Sequence, residues 1–169
     1  MNYSILEFLH MLGQKYPLLG NTSLFISGPV SFIVIPLCIL IALSLKAKEN
    51  FMYMFSLVFL SGFLSFLTAR ICKEIFQVMR PYVTHTHIIP LFPTPGYSFP
   101  SEHASVYGAL TILLFHFDYR LGILSLVLSL LVMLSRVVNG VHYPVDVIAG
   151  FILGGCVAYG LVIFFEKFL

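Results

Sequence analysis

Residues 23–45, 51–69 and 147–165 contain no charged side chain, and each is about as long as the roughly 20 helical residues needed to cross some 30 Å of hydrocarbon. Two further apolar runs, 104–117 and 121–134, are short by themselves. They reach about 18 residues if their helices extend through 100–103 and 135–138, which would set polar side chains inside the membrane boundary, where they are costly and mark function. Composition agrees: 59% of the chain is hydrophobic, only 9% is charged and mean hydropathy is +0.99, whereas a soluble domain carries about 25% charged residues. A water-soluble enzyme is excluded. With a net charge of +2 and no large basic patch, so is a nucleic-acid partner.

The first 22 residues differ. Ser4, Glu7, His10 and Gln14 recur at helical spacing, with Ile5, Leu6, Phe8, Leu9 and Leu12 on the remaining arc. This is the pattern of an amphipathic helix lying in the interface, and Gly13, Pro17 and Gly20 are expected to break it. The expected fold is all-α: a polytopic transmembrane bundle of five spans plus the interfacial helix. It forms one integral-membrane domain over 1–169, with the helix in 1–22 and the bundle in 23–169; a sixth span is the alternative. Cys38, Cys72 and Cys156 are scattered through apolar runs. They read as packing residues, not as a disulfide framework or a metal site.

Five spans put Lys46, Lys48, Glu49, Asp118, Arg120, Glu166 and Lys167 on one side of the membrane and segments 70–103 and 135–146 on the other. Short turns bearing Lys and Arg favour the cytoplasm. The second side also holds Arg70, Lys73, Arg80 and Arg136, so the count does not decide by itself; with most of these read as site residues, this side is expected to face outward. That side collects the polar residues that invite a chemical reading. Lys73 and Arg80 are seven apart, which on one helix returns them to within about 20° of each other, and Pro81 is expected to end that helix. One Lys or Arg near a helix end simply snorkels; two on one stripe fit that explanation less well.

Pro100-Ser101-Glu102-His103 follows a proline-rich loop. With Pro100 in a first helical turn, the N–H groups of Ser101, Glu102 and His103 would point outward, where the helix dipole favours an anion. The third cluster is Ser135-Arg136, then His142-Tyr143-Pro144-Val145-Asp146. One turn separates His142 from Asp146, so the carboxylate can reach one imidazole nitrogen and leave the other as a nucleophile or base. Three cations, Lys73, Arg80 and Arg136, suit a phosphate dianion and the charge that develops on its oxygens, with no metal.

The order Lys73-x6-Arg80-Pro81, Pro100-Ser101-Glu102-His103, Ser135-Arg136-x5-His142-x3-Asp146 resembles the three-part signature of the type-2 phosphatidic acid phosphatase superfamily, membrane lipid phosphatases related to vanadium-dependent haloperoxidases. The resemblance covers residues 73–146. It implies His142 as the nucleophile that forms a phosphohistidine, Asp146 as its orienting partner, and His103 as the acid that protonates the leaving oxygen and later activates water. It implies that Lys73, Arg80, Ser101, Arg136 and the main chain of Glu102 hold the phosphate, with no cofactor and no metal. Glu102 departs from the family's commonest residue, glycine, and resembles the variant of some bacterial undecaprenyl-diphosphate phosphatases. Its carboxylate would repel phosphate, so it is expected to point away or to meet Lys73 or another cation; an ordinary first-turn acid is the other reading.

Compact size and short loops resemble small bacterial members acting on lipid A 1-phosphate, undecaprenyl diphosphate or phosphatidylglycerophosphate, of which the first two are favoured. The expected partners are a lipid phosphate entering from the bilayer and the surrounding lipids. The expected location is a bacterial inner membrane, with the site facing the periplasm or outside. In the loop 82–97, His85 and His87 suit a lid over a headgroup better than a metal. A different class of function, a small anion or lipid transporter, predicts charges spread through the depth of the bundle and an internal repeat.

Overall fold

The computed structural model describes residues 2–34 and 51–168. Those residues form helices α1 (Asn2–Lys15), α2 (Pro17–Phe25), α3 (Ile26–Val34, π-wound and kinked at Gly28), α4 (Phe51–Phe76), α5 (Pro81–Thr84), α6 (Glu102–Phe117), α7 (Tyr119–Val138) and α8 (Pro144–Phe168). The architecture is an all-helical membrane fold. Among the described residues three segments are long and apolar enough to cross a bilayer: Phe51–Thr84, Tyr119–Val138 and Pro144–Lys167. Residues 35–45 of the expected 23–45 span, with Cys38, and Lys46, Lys48 and Glu49 beyond it, lie outside the described residues. Cys156 is exposed on α8 rather than packed inside, and Cys72 is half-buried.

α7 extends to Val138 as its polar end requires, but α6 gains only Glu102 and His103 beyond its apolar run. At 16 residues it spans about 24 Å, less than the hydrocarbon core. α6 is the hub of the bundle, buried from Ala104 to Leu114 on most of its circumference. Small residues allow this. A Cβ on Gly154 of α8 would stand 1.7 Å from the Ser105 carbonyl oxygen, one on Gly108 2.1 Å from that of Phe151, and one on Gly150 2.5 Å from that of Ser101. The backbones of α6 and α8 therefore touch, the close approach that small residues permit in lipid. Hydroxyls stitch the other neighbours: Thr111 lies 3.1 Å from Ser125 and 2.9 Å from Ser129, Ser105 donates to the Ser65 carbonyl at 3.0 Å, and Tyr107 to that of Ser31 at 2.7 Å.

The N-terminal segment bends once, at Tyr16 ahead of Pro17. Gly13 and Gly20 are packing residues instead of breakers, since a Cβ on Gly20 would stand 2.6 Å from the Gly13 carbonyl oxygen. Ile5, Phe8 and Met11 point outward, while Leu6 and His10 are buried. His10 Nδ1 donates to the Val138 carbonyl at 2.9 Å and Gln14 donates to His10 Nε2 at 3.0 Å. A histidine to which the sequence assigned no task thus satisfies one of the orphan carbonyls at the end of α7.

Candidate active site

The local chain geometry brings the polar clusters together. α4 stops at Phe76, where Gln77 adopts φ 49° and its N–H bonds the Lys73 carbonyl at 2.9 Å, a left-handed C-terminal cap. Residues 77–80 are not helical and Arg80 precedes α5. Lys73 and Arg80 therefore do not share a helical stripe, because the helix is capped before it reaches Arg80. They converge through the turn instead. Lys73 Nζ donates to the carbonyls of Tyr97 at 2.7 Å and Ser98 at 3.3 Å. Arg80 donates from Nε to Gly96 at 3.0 Å, from Nη1 to Val141 at 2.9 Å and from Nη2 to Pro95 at 3.2 Å. Each cation braces the proline-rich loop and still keeps N–H donors to spare. Arg136 lies buried in the same electrostatic cluster, its Nε without a hydrogen-bond partner among the described residues. All three are no more than 5% exposed, so snorkelling does not explain them.

Ser101 is the N-cap of α6, so Pro100 precedes the helix instead of standing in its first turn. The Ser101 hydroxyl accepts from Ala104 N at 3.5 Å, and its own N–H donates to the Asp146 carbonyl at 3.0 Å. That N–H joins α6 to α8 and is spent, so the helix start offers an anion fewer main-chain donors than the sequence suggests. Glu102 turns to Arg70, with Nη1 to Oε1 3.8 Å, which agrees with a carboxylate that meets a cation. His103 follows on the same first turn and interacts electrostatically with His142.

The turn Asn139-Gly140 carries the chain from α7 to α8. Gly140 has φ 73°, and a Cβ there would touch the His10 ring at 3.0 Å, so this position needs glycine twice over. Asn139 is pinned by the Ser23 hydroxyl, which donates to its Oδ1 at 2.5 Å, and by its own Nδ2, which donates to Ser27 at 2.6 Å. Beyond the turn, Asp146 Oδ2 accepts from Tyr143 N at 2.8 Å and lies 3.5 Å from His142 Nδ1. On the opposite edge of the ring, Arg80 Nη1 stands 3.4 Å from Nε2. No hydrogen bond reaches Nδ1 among the described residues, but the carboxylate on that edge and the guanidinium donor at Nε2 favour a proton on Nδ1 and a lone pair on Nε2.

Burial pushes the His142 imidazole well below its ordinary pKa, and the charges of Arg136, Arg80 and Lys73 push it the same way. The ring is neutral at pH 7. An unfolded chain takes up this proton near pH 6.5 and the folded one does not, so stability from this group is lost as pH falls below about 6.5. The expected result is a melting temperature that drops between pH 7 and pH 5 in detergent, with a shallower drop in His142→Gln. Identical slopes would show that the ring is not shielded.

The structure thus collects Lys73, Arg80, Arg136, His103, His142 and Asp146 at one end of the bundle, with Ser101 holding the helix that bears His103. Sequence reasoning missed the braces, the carbonyls of 95–98 and 141, because a carbonyl carries no residue signature. His85 and His87 do not hang free over the site. His87 pairs with the Tyr3 hydroxyl and with Glu7 at 3.5 Å, and the His85 ring stacks 4.2 Å from that of Tyr3, tying the loop to α1.

A family model described as the PAP2 superfamily matches residues 50–169. The chain is 28% identical over 159 residues to the bacitracin transport permease protein BcrC of Bacillus licheniformis, covering 91% of this chain and 75% of that one. It is 36% identical over 104 residues to an undecaprenyl-diphosphatase of Sulfolobus acidocaldarius, covering 59% and 50%. Its fold matches that of a transmembrane PAP2-type phosphatidylglycerolphosphate phosphatase from Bacillus subtilis with a TM-score of 0.76 at 21% identity, over 99% of this chain and 86% of that one. The stretch that carries the buried cations and both histidines is the stretch that the family model spans, and the chain belongs to the PAP2 superfamily.

Proposed function

We propose that this protein removes a terminal phosphate from a membrane lipid through a phosphohistidine on His142, without a metal. A membrane lipid phosphatase is what its family membership gives; the proposal concerns the chemistry and the lipid. The observation that carries it is the buried His142 ring, set between Asp146 on its Nδ1 edge and Arg80 at Nε2. A phosphate that engages Lys73, Arg80 and Arg136 draws the Arg80 donor off Nε2 and meets the exposed lone pair. The Nε2–P bond forms as the bond from phosphorus to the lipid oxygen breaks. That oxygen leaves with the electron pair and takes a proton from His103. Water then attacks phosphorus, gives its proton to His103, and returns the electron pair to Nε2 with release of inorganic phosphate. Asp146 stabilises the imidazolium that exists in between, and the cations stabilise the equatorial oxygens.

Lipid A 1-phosphate and undecaprenyl diphosphate are the favoured substrates and phosphatidylglycerophosphate the third. Relatives named as an undecaprenyl-diphosphatase and, at 35% identity over 112 residues, a lipid A 1-phosphatase of Rhizobium etli support that choice. The positions of the Lys/Arg-bearing turns support a site on the outer face of a bacterial inner membrane. In detergent with EDTA, the purified protein is expected to release phosphate from these lipids, and vanadate to inhibit. Comparable rates on all three would overturn the narrower preference, and arrest by EDTA would overturn the metal-free mechanism.

A further inference from the structure

Two spaces open beside His103 and the buried cations. Along α4 and α6, an apolar groove of about 400 Å³ is lined by Phe59, Gly62, Phe63, Phe66 and Tyr107 and ends at Glu102 and His103. Beside it, a polar cavity of about 250 Å³ is lined by Arg70, Lys73, Glu74, Arg80, Gly96 and Glu102. Its volume is many times the roughly 10–15 Å³ that one water needs. Glu102 borders both spaces. On α4 the order is Phe63, Phe66, Arg70, Lys73, each step three or four residues, so the lining passes along one helix face from aromatic rings to Arg70 and then to the buried Lys73.

Arg70 therefore stands between the groove and the cage. It differs from the cage cations in its exposure, 63% of its side chain, and in its partner, the Glu102 carboxylate at 3.8 Å. A carboxylate held loosely by a guanidinium is the arrangement that a second phosphate would replace, since Arg binds phosphate oxygens in the same forked geometry.

Resting on the phosphatase reading of this site, we propose that Arg70 and Glu102 form a subsite for the phosphate that stays with the lipid, which narrows the two favoured substrates to the diphosphate: the enzyme selects lipid diphosphates over monophosphates. The terminal phosphate sits among Lys73, Arg80 and Arg136. The inner phosphate displaces Glu102 from Arg70 and lies next to His103, where the leaving oxygen needs its proton. The tail follows the aromatic groove. With a monophosphate ester, Arg70 stays paired to Glu102 and contributes nothing.

The test uses farnesyl diphosphate and farnesyl monophosphate, which share a tail and differ by one phosphate. Arg70→Gln is expected to lower kcat/KM about tenfold more on the diphosphate than on the monophosphate, and Arg70→Lys to recover part of the difference. Inorganic pyrophosphate is expected to inhibit the wild-type protein more strongly than inorganic phosphate, a preference that Arg70→Gln removes. Equal losses on both farnesyl substrates would mark Arg70 as a source of general positive field, and no loss on either would mark it as a solvated interface cation; both outcomes overturn the subsite. If the wild-type protein releases phosphate from neither, or His142→Ala releases it as fast, the phosphatase reading itself fails.

Discussion

His142→Ala is expected to reduce phosphate release by about ten-thousand-fold or more, as removal of a covalent nucleophile does. The cations would remain in place, because Lys73 and Arg80 are braced by loop carbonyls and not by the imidazole alone. The variant is therefore expected to bind vanadate while failing to turn over, and protein quenched in alkaline detergent after labelling from a radioactive lipid phosphate should carry no base-stable, acid-labile phosphate. His103→Ala separates the two histidines. An acid matters in proportion to how poor the leaving group is, so this variant is expected to lose far more activity on an alkyl phosphate than on p-nitrophenyl phosphate, whereas His142→Ala loses both alike. Turnover persisting in His142→Ala would remove the nucleophile from this account.

Gly154→Leu is expected to be the most destabilising single substitution at the α6–α8 crossing. Its Cβ would stand 1.7 Å from the carbonyl oxygen of Ser105, and a backbone atom cannot swing aside as a side-chain tip can. Overpacking a core costs about 1–3 kcal/mol when side chains give way; here two helix axes must part, and the loss should exceed about 3 kcal/mol. Unfolding temperature and the monodisperse yield in detergent report this. Gly160→Ala on the same helix is the control, because a Cβ there meets nothing within 4 Å. The crossing also bears on chemistry. The Ser101 N–H bonds the Asp146 carbonyl at 3.0 Å, and Gly150 lies against Ser101, so parting the helices would separate His103 from His142. A Gly154→Leu protein as stable as the wild type would contradict the contact.

Much of this arrangement was legible in the sequence because the chemistry-bearing residues stand where helices must stop. Pro81, the Pro100-Ser101 pair, Asn139-Gly140 and Pro144 all mark ends, and helix ends in a bundle meet at its faces. What periodicity does not carry is direction. The stripe of Glu7, His10 and Gln14 announces an amphipathic α1, yet its polar atoms turn toward the protein, onto the Val138 carbonyl and His87, while Ile5, Phe8 and Met11 point away. The end of α4 was misplaced by four residues because nothing in the type of Gln77 announces a left-handed conformation. Arg70 was counted as one more charge, since its importance depends on which cavity lies in front of it.

The bracing of Lys73 and Arg80 by the carbonyls of 95–98 and 141 has a consequence for the end of the catalytic cycle. These struts join protein to protein and need no anion to form, so product departure is expected to need no loop refolding. Escape of inorganic phosphate is then opposed by attraction alone, and added salt, which screens that attraction, is expected to hasten it.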